Sequence, residues 1–168
     1  MYLFFDRSLE KTVGKQLRRQ RGFTLVEIVI VMAILVILSL FAIPPLLRSR
    51  MTANESAAIN ACRMIVASSQ AYLGASNPHT YPASLSELAS PVSDPAYLDS
   101  LLSQATSTAS SRQGYYYTYV LIDSARFTLN ADPVTSNVTG ARYFFVDESG
   151  VIRTNPSGIA GPTDPPVE

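Results

Sequence analysis

Residues 28–47 are twenty consecutive positions without a charge, almost all of them Ile, Val, Leu, Ala or Phe. As a helix rising 1.5 Å per residue, that run matches a hydrocarbon layer of roughly 30 Å. Lipid offers no hydrogen-bond partner to an open backbone, so helix is the state the run can hold there. Two plain accounts compete. A secretory signal peptide has a basic start, a short apolar core and a small-x-small cleavage site. Here the core is too long, no A-x-A site follows it, and Pro44-Pro45 stand near its end. A simple anchor fits the length but leaves Glu27 unexplained. A carboxylate at mid-membrane costs about 2.5–3.5 kcal/mol, less near an end. Glu27, just inside the apolar block, requires a partner or a function.

The formal net charge of zero hides an asymmetry. Residues 1–22 hold six basic side chains (Arg7, Lys11, Lys15, Arg18, Arg19, Arg21) against Asp6 and Glu10, a net +4. The remainder holds seven Arg against eleven acids, with no lysine. Basic residues before a span keep that side cytoplasmic. Arg48 and Arg50 compete on the far side but are outnumbered, so the domain after the span is expected in the periplasm or outside.

Gly22-Phe23-Thr24-Leu25-Val26-Glu27, the apolar run and Pro44 together resemble the class III signal of type IV pilins and of the pseudopilins of type II secretion. The close resemblance covers residues 20–50. It implies that a prepilin peptidase cuts between Gly22 and Phe23, that Phe23 is then N-methylated, that Glu27 acts in assembly and that Pro44 kinks the helix. It also implies an inner-membrane platform and an assembly ATPase as partners, with copies of this chain and other pilins or pseudopilins in one filament. The residues make physical sense of this. Glycine lets another backbone approach closely. After the cut, the Phe23 amine and the Glu27 carboxylate lie one helical turn apart, so a neighbour shifted along the axis brings amine to carboxylate. A charge that is expensive when unpaired in low dielectric is tolerable when paired. The leader is long for such a signal, and its first ten residues read as an upstream extension of the start.

Beyond the span the helical pattern continues but turns amphipathic. Ile59, Cys62, Val66, Ser69 and Leu73 recur at three- and four-residue spacing, and alanines at 53, 57, 58, 61, 67 and 71 favour helix. Pro44 and Pro45 are expected to bend or locally melt the element without ending it, and Gly74 to stop it. From Phe23 to Leu73 it would run roughly 75 Å. Ser84-Leu85-Ser86-Glu87 has capping-box spacing, and Asp94-Pro95 reads as the start of a second short helix through Leu102. Residues 103–113 read as a mobile loop. Strands are expected at 114–122, 126–130 and 142–146, with 151–153 closing a hairpin through Asp147-Glu148-Ser149-Gly150. Residues 132–140 read as a flexible connection and the tail from Asn155, rich in Pro and Gly, as irregular or wrapped on the surface.

Little points to chemistry. The single histidine, His79, sits in a Pro-flanked turn and reads as a solvated loop residue, since zinc requires three or four ligands. There is no G-x-S-x-G elbow and no phosphate-binding glycine loop. Asp147 and Glu148 with Asp164 or Glu168 could hold calcium, as a C-terminal loop does in some major pseudopilins, but no liganding pattern is recognisable. The expectation is no metal, no cofactor and no enzyme. Cys62, the only cysteine, excludes an internal disulfide and reads as a buried small hydrophobe, with an intersubunit bridge as the alternative. Tyr115, Tyr116, Tyr117 and Tyr119 read as sheet packing, with an adhesive surface as the alternative. A lysine-free acidic remainder lacks the electrostatic footprint of nucleic-acid binding.

The expected fold is α+β and pilin-like: a long N-terminal helix, transmembrane in its first half, packed on a small antiparallel sheet. The expected parts are a cleaved cytoplasmic leader (1–22), a transmembrane and assembly helix (23–47), its amphipathic continuation (48–75), a globular α+β head (76–154) and an irregular tail (155–168). The expected function is a structural subunit of a cell-surface filament, type IV pilin-like, held in the inner-membrane lipid before assembly. A pseudopilin of a type II secretion endopilus is the alternative, and an anchored extracytoplasmic binding domain a remoter one.

Overall fold

The computed structural model describes residues 22–90 and 95–167, with the backbone alone at Ala42. The chain forms two compact units, Met1–Leu40 and Phe41–Glu168, and each is described by itself. Helix α1 (Leu25–Ala75) begins in the first. Up to Leu40 its apolar side chains are exposed on all sides. A helix apolar all round belongs inside a protein core or a membrane, and no part of this apolar stretch is buried within the chain. By length and composition it is sufficient to cross a bilayer.

In the second unit α1 continues as helix through Pro44 and Pro45. Neither proline can donate to the carbonyl four residues earlier, so those of Leu40 and Phe41 lose their helical partner. Local melting is not seen. Further on, Glu55, Ala58, Ile59, Cys62, Ile65, Val66 and Ser69 are buried, a helical face that contains the expected stripe as far as Ser69, while Leu73 is half-buried against the core. The helix closes at Ala75, one residue past Gly74, where the Ser76 amide donates to Tyr72 O at 2.8 Å.

Four strands, β1 (Tyr115–Asp123), β2 (Arg126–Pro133), β3 (Tyr143–Asp147) and β4 (Arg153–Asn155), form an antiparallel meander in the order β1-β2-β3-β4. Alternation assigns one face to the core: Tyr115 and Tyr117 of β1, Phe127, Leu129 and Ala131 of β2, and Phe144 and Val146 of β3 cluster with the buried face of α1. Of the four tyrosines of β1, Tyr115 and Tyr117 are core, Tyr119 packs half-buried against it and Tyr116 is half-buried. Tyr119 stacks on Phe127 at 5.2 Å, and Tyr81 meets the same ring edge-on at 4.8 Å. The outcome is the α+β arrangement expected, a long N-terminal helix with a four-stranded antiparallel sheet, consistent with a pilin-like fold.

Several local expectations need correction. At Ser84 the capping box does not close. A 3₁₀ turn spans Leu85–Leu88, Ser84 makes no side-chain cap, and its hydroxyl pairs with that of Ser86 while the Glu87 carboxylate accepts the Ala83 amide. The next helix, α2 (Ser100–Ser103), begins later than Asp94-Pro95 implied; Asp94 lies outside the described residues. Tyr97 and Leu98, expected inside that helix, instead both donate their amides to Leu88 O at 2.9 Å. Strand β2 runs to Pro133, three residues longer than expected, and β4 starts at Arg153, after Gly150 has turned the chain at φ +75°. The connection after β2 is hydrogen-bonded: Thr139 N donates to Thr135 O, and Asn54 of α1 donates to Thr139 O at 2.8 Å. The irregular tail is pinned by hydrogen bonds. Thr154 and Val167 donate to Pro165 O and Ile152 O, and the Asp164 carboxylate accepts the Gly161 amide at 2.8 Å.

Candidate processing and assembly site

The first helical turn is set by a threonine and a glutamate three residues apart. Thr24 N and Thr24 Oγ1 each donate to Glu27 Oε2 at 2.8 Å, and Glu27 N donates back to Thr24 Oγ1 at 3.2 Å. This is a reciprocal capping box. It satisfies amides that a helix start leaves without partners and places a carboxylate at the positive end of the helix dipole. Its consequence is positional. Gly22 and Phe23 stand outside the helix, and the Phe23 side chain is 83% exposed. The Gly22–Phe23 bond is thus non-helical and uncovered, the state in which a peptidase can engage a backbone.

Among the described residues nothing crowds Gly22: a Cβ built there would meet no atom within 4 Å, so packing there does not require a glycine. Gly140 is the opposite case: a Cβ there would lie 2.0 Å from the Tyr115 hydroxyl.

Glu27 also departs from the expectation of a carboxylate awaiting its first partner. Oε2 is taken by Thr24, while Oε1 accepts nothing from the described residues. The capping box partly satisfies the charge and leaves Oε1 without a donor among the described residues. The T-x-x-E spacing is present in the sequence at Thr24-x-x-Glu27, where the box closes, whereas the same spacing at Ser84-x-x-Glu87 fails.

A second carboxylate escaped the sequence reading. Glu55 is only 7% exposed. Its Oε1 accepts the Ala141 and Arg142 amides at 2.8 and 3.3 Å, and its Oε2 accepts Arg142 Nε at 2.8 Å. Counting back four residues from Ile59 places Glu55 on the apolar stripe, which was the signal available. The residue ties α1 to the segment entering β3.

The remaining candidates are spent on structure. The His79 ring Nδ1 lies 2.9 Å from Leu73 O. A carbonyl can only accept, so Nδ1 carries the proton and caps the end of α1. His79 is exposed but is a capping residue. Asp147 accepts from Ser149 N and Oγ in its own turn, and Asp164 from Asn155 and Gly161; Glu168 lies outside the described residues. Among the described residues no three His, Cys, Asp or Glu side chains gather as a metal site would require. Cys62 is fully buried, and burial pushes its thiol up to about 12.

The model of the prokaryotic N-terminal methylation motif matches residues 17–43. The chain therefore carries the class III signal of type IV pilins and pseudopilins over that stretch. No curated protein and no solved structure matches it.

Proposed function

We propose that the protein is a structural subunit of a helical cell-surface filament, type IV pilin-like. In this reading it is held in the inner membrane by residues 23–47 with the leader cytoplasmic and the head outside. It is cut by a prepilin peptidase between Gly22 and Phe23, N-methylated at Phe23 and polymerised through α1, with Pro44 as the point where the helix yields. The matched motif supports a pilin- or pseudopilin-like protein. The observation that carries the finer reading is the Thr24–Glu27 box. It leaves the scissile bond outside the helix on one side and an accepting Glu27 Oε1 on the other. An incoming subunit whose Phe23 amine reaches that oxygen would exchange a half-paired carboxylate in lipid for an ion pair, which favours entry in one register.

A pseudopilin of a type II secretion endopilus is the second reading. It is favoured by one observation: the C-terminal region is closed by hydrogen bonds around Asp164 with no disulfide available. Mass spectrometry of filaments sheared from native cells separates the two. A peptide beginning at Phe23 and heavier by one methyl group, abundant in the sheared fraction, is the expected result. The same peptide confined to membranes favours the pseudopilin, and no peptide beginning at Phe23 in either fraction overturns both.

A further inference from the structure

Arg48 is the first charged residue after the apolar run, and the structure places it in a cleft of the second unit. Arg48, Met51, Thr52, Glu55, Ala141 and Arg142 line this cleft of about 350 Å³. Its one carboxylate is committed within the chain on both oxygens. Glu55 takes two backbone amides on one oxygen and Arg142 Nε on the other. The Arg142 guanidinium lies over the Phe144 ring, 5.5 Å from its centroid, and its two terminal nitrogens have no partner among the described residues. Arg48 makes no ion pair there either. Two guanidinium groups therefore share a cleft with one committed carboxylate, which leaves one positive charge in excess.

We infer that this cleft binds the phosphodiester of an anionic membrane phospholipid while the subunit resides in the bilayer. Guanidinium forks match phosphate oxygens geometrically and form charge-assisted hydrogen bonds with them. Position selects the source of the phosphate. Arg48 directly follows the twenty uncharged residues that match the hydrocarbon layer, so its side chain reaches headgroup depth. The inference rests on the membrane-anchored reading above and adds a chemical partner to it. A lipid held there would keep the base of the second unit at the bilayer surface before assembly and would have to be released on entry into a filament.

The test uses the full chain, leader included, in neutral detergent, with phosphatidylglycerol and phosphatidylcholine added in equal amounts and retained lipid counted by native mass spectrometry. The control is Arg50, which has the same charge two residues further on but does not line the cleft. Cations of the leader contribute equally to every variant. Arg48→Gln should weaken phosphatidylglycerol retention about tenfold, the scale of one charge-assisted hydrogen bond, while Arg50→Gln leaves it near wild type. Equal losses in the two variants would reduce the effect to interfacial charge and overturn the cleft. Displacement of the lipid by millimolar inorganic phosphate would assign the cleft to a free anion. A lipid-free dimer lost in Arg48→Gln would assign it to an acidic surface of a second copy. Either result sinks the lipid. If the full chain stays soluble without detergent, the membrane reading itself fails, which is a separate outcome.

Discussion

Glu55→Ala is the perturbation that most directly tests how α1 and the sheet are joined. The carboxylate is 7% exposed and accepts three hydrogen bonds, one from a guanidinium. Removing one partner of a buried ion pair costs about 3–5 kcal/mol. The Arg142 side chain is 38% exposed, so water recovers much of what it loses, and its share is discounted toward the surface-pair value of below about 1 kcal/mol. The Ala141 and Arg142 amides lose a charged acceptor, and hydrogen bonds to charged groups contribute about 1.5–3 kcal/mol each. The 3.3 Å bond belongs at the bottom of that range. Together these give about 3 kcal/mol, which for a chain of this size corresponds to roughly 6–12 °C in Tm.

Glu55→Gln refines the test. Its carbonyl oxygen can still accept both amides, but its amide group then faces Arg142 Nε, donor against donor. The loss should be about half that of Glu55→Ala. Thermal unfolding of the full chain in detergent, followed through the near-ultraviolet signal of the packed tyrosines, measures both. A Glu55→Ala shift below about 2 °C, or a Gln variant as unstable as the Ala one, would refute the assignment of the latch to the carboxylate.

Three further outcomes are expected. Gly140→Ala drives a methyl group into the Tyr115 hydroxyl, which donates to Arg142 O at 2.8 Å, and should destabilise by about 1–3 kcal/mol; an unchanged Tm would show that the ring moves freely. Cys62, buried and with its thiol raised to about 12, should resist iodoacetamide at pH 8 in the folded protein and react on denaturation; rapid native labelling counts against the packing. Burial raises the Asp132 carboxyl above its usual range, and Asp132 Oδ1 has no partner among the described residues. The native state then holds that proton more tightly than the unfolded state, so stability is lost as pH rises through the folded-state value. Asp132→Asn should therefore match wild type near pH 3 and exceed it increasingly above about pH 4; equal stability at neutral pH would show the charge to be solvated.

Sequence periodicity made the elements legible and failed at their connections, for a physical reason. The stripe from Ile59 to Ser69 and the alternation at Tyr115 and Tyr117 are repeated signals, and burial places each residue in them, with Leu73 half-buried beyond. A cap or a turn depends on one or two hydrogen bonds whose partners can lie far away in sequence. Ser84 has the letters of a cap but loses its role because Glu87 reaches Ala83 instead. His79 caps a helix six residues behind it, and Asn54 holds a loop 85 positions ahead. Gly22, Phe23, Thr24 and Glu27 fall within six residues, so the Thr24–Glu27 box forms within a single helical turn, although the capping-box spacing expected from the sequence was that of Ser84-x-x-Glu87 alone.

On the proposed reading of Glu27 as an assembly residue, that turn would let one glutamate serve both the monomer and the filament. Were Glu27 wholly unpaired, the monomer would bear the full penalty of a carboxylate in lipid, up to about 2.5–3.5 kcal/mol and less near a helix end. Were both oxygens engaged within the chain, nothing would reward the arrival of a neighbour's amine. Thr24 occupies one oxygen and leaves the other, an intermediate state that tolerates residence and still favours pairing. Thr24→Val keeps the shape, removes the hydroxyl and should weaken the helix start by about 1 kcal/mol. On the reading of Glu27 as an assembly residue, it should shift the processed subunit from the membrane toward the filament, or lower its steady-state level in the membrane. Glu27→Ala, by contrast, should leave processed subunits accumulating there unassembled. Quantitative immunoblots of membrane and sheared fractions distinguish the two directions, and identical phenotypes would mean that the hydroxyl and the carboxylate act only as a cap.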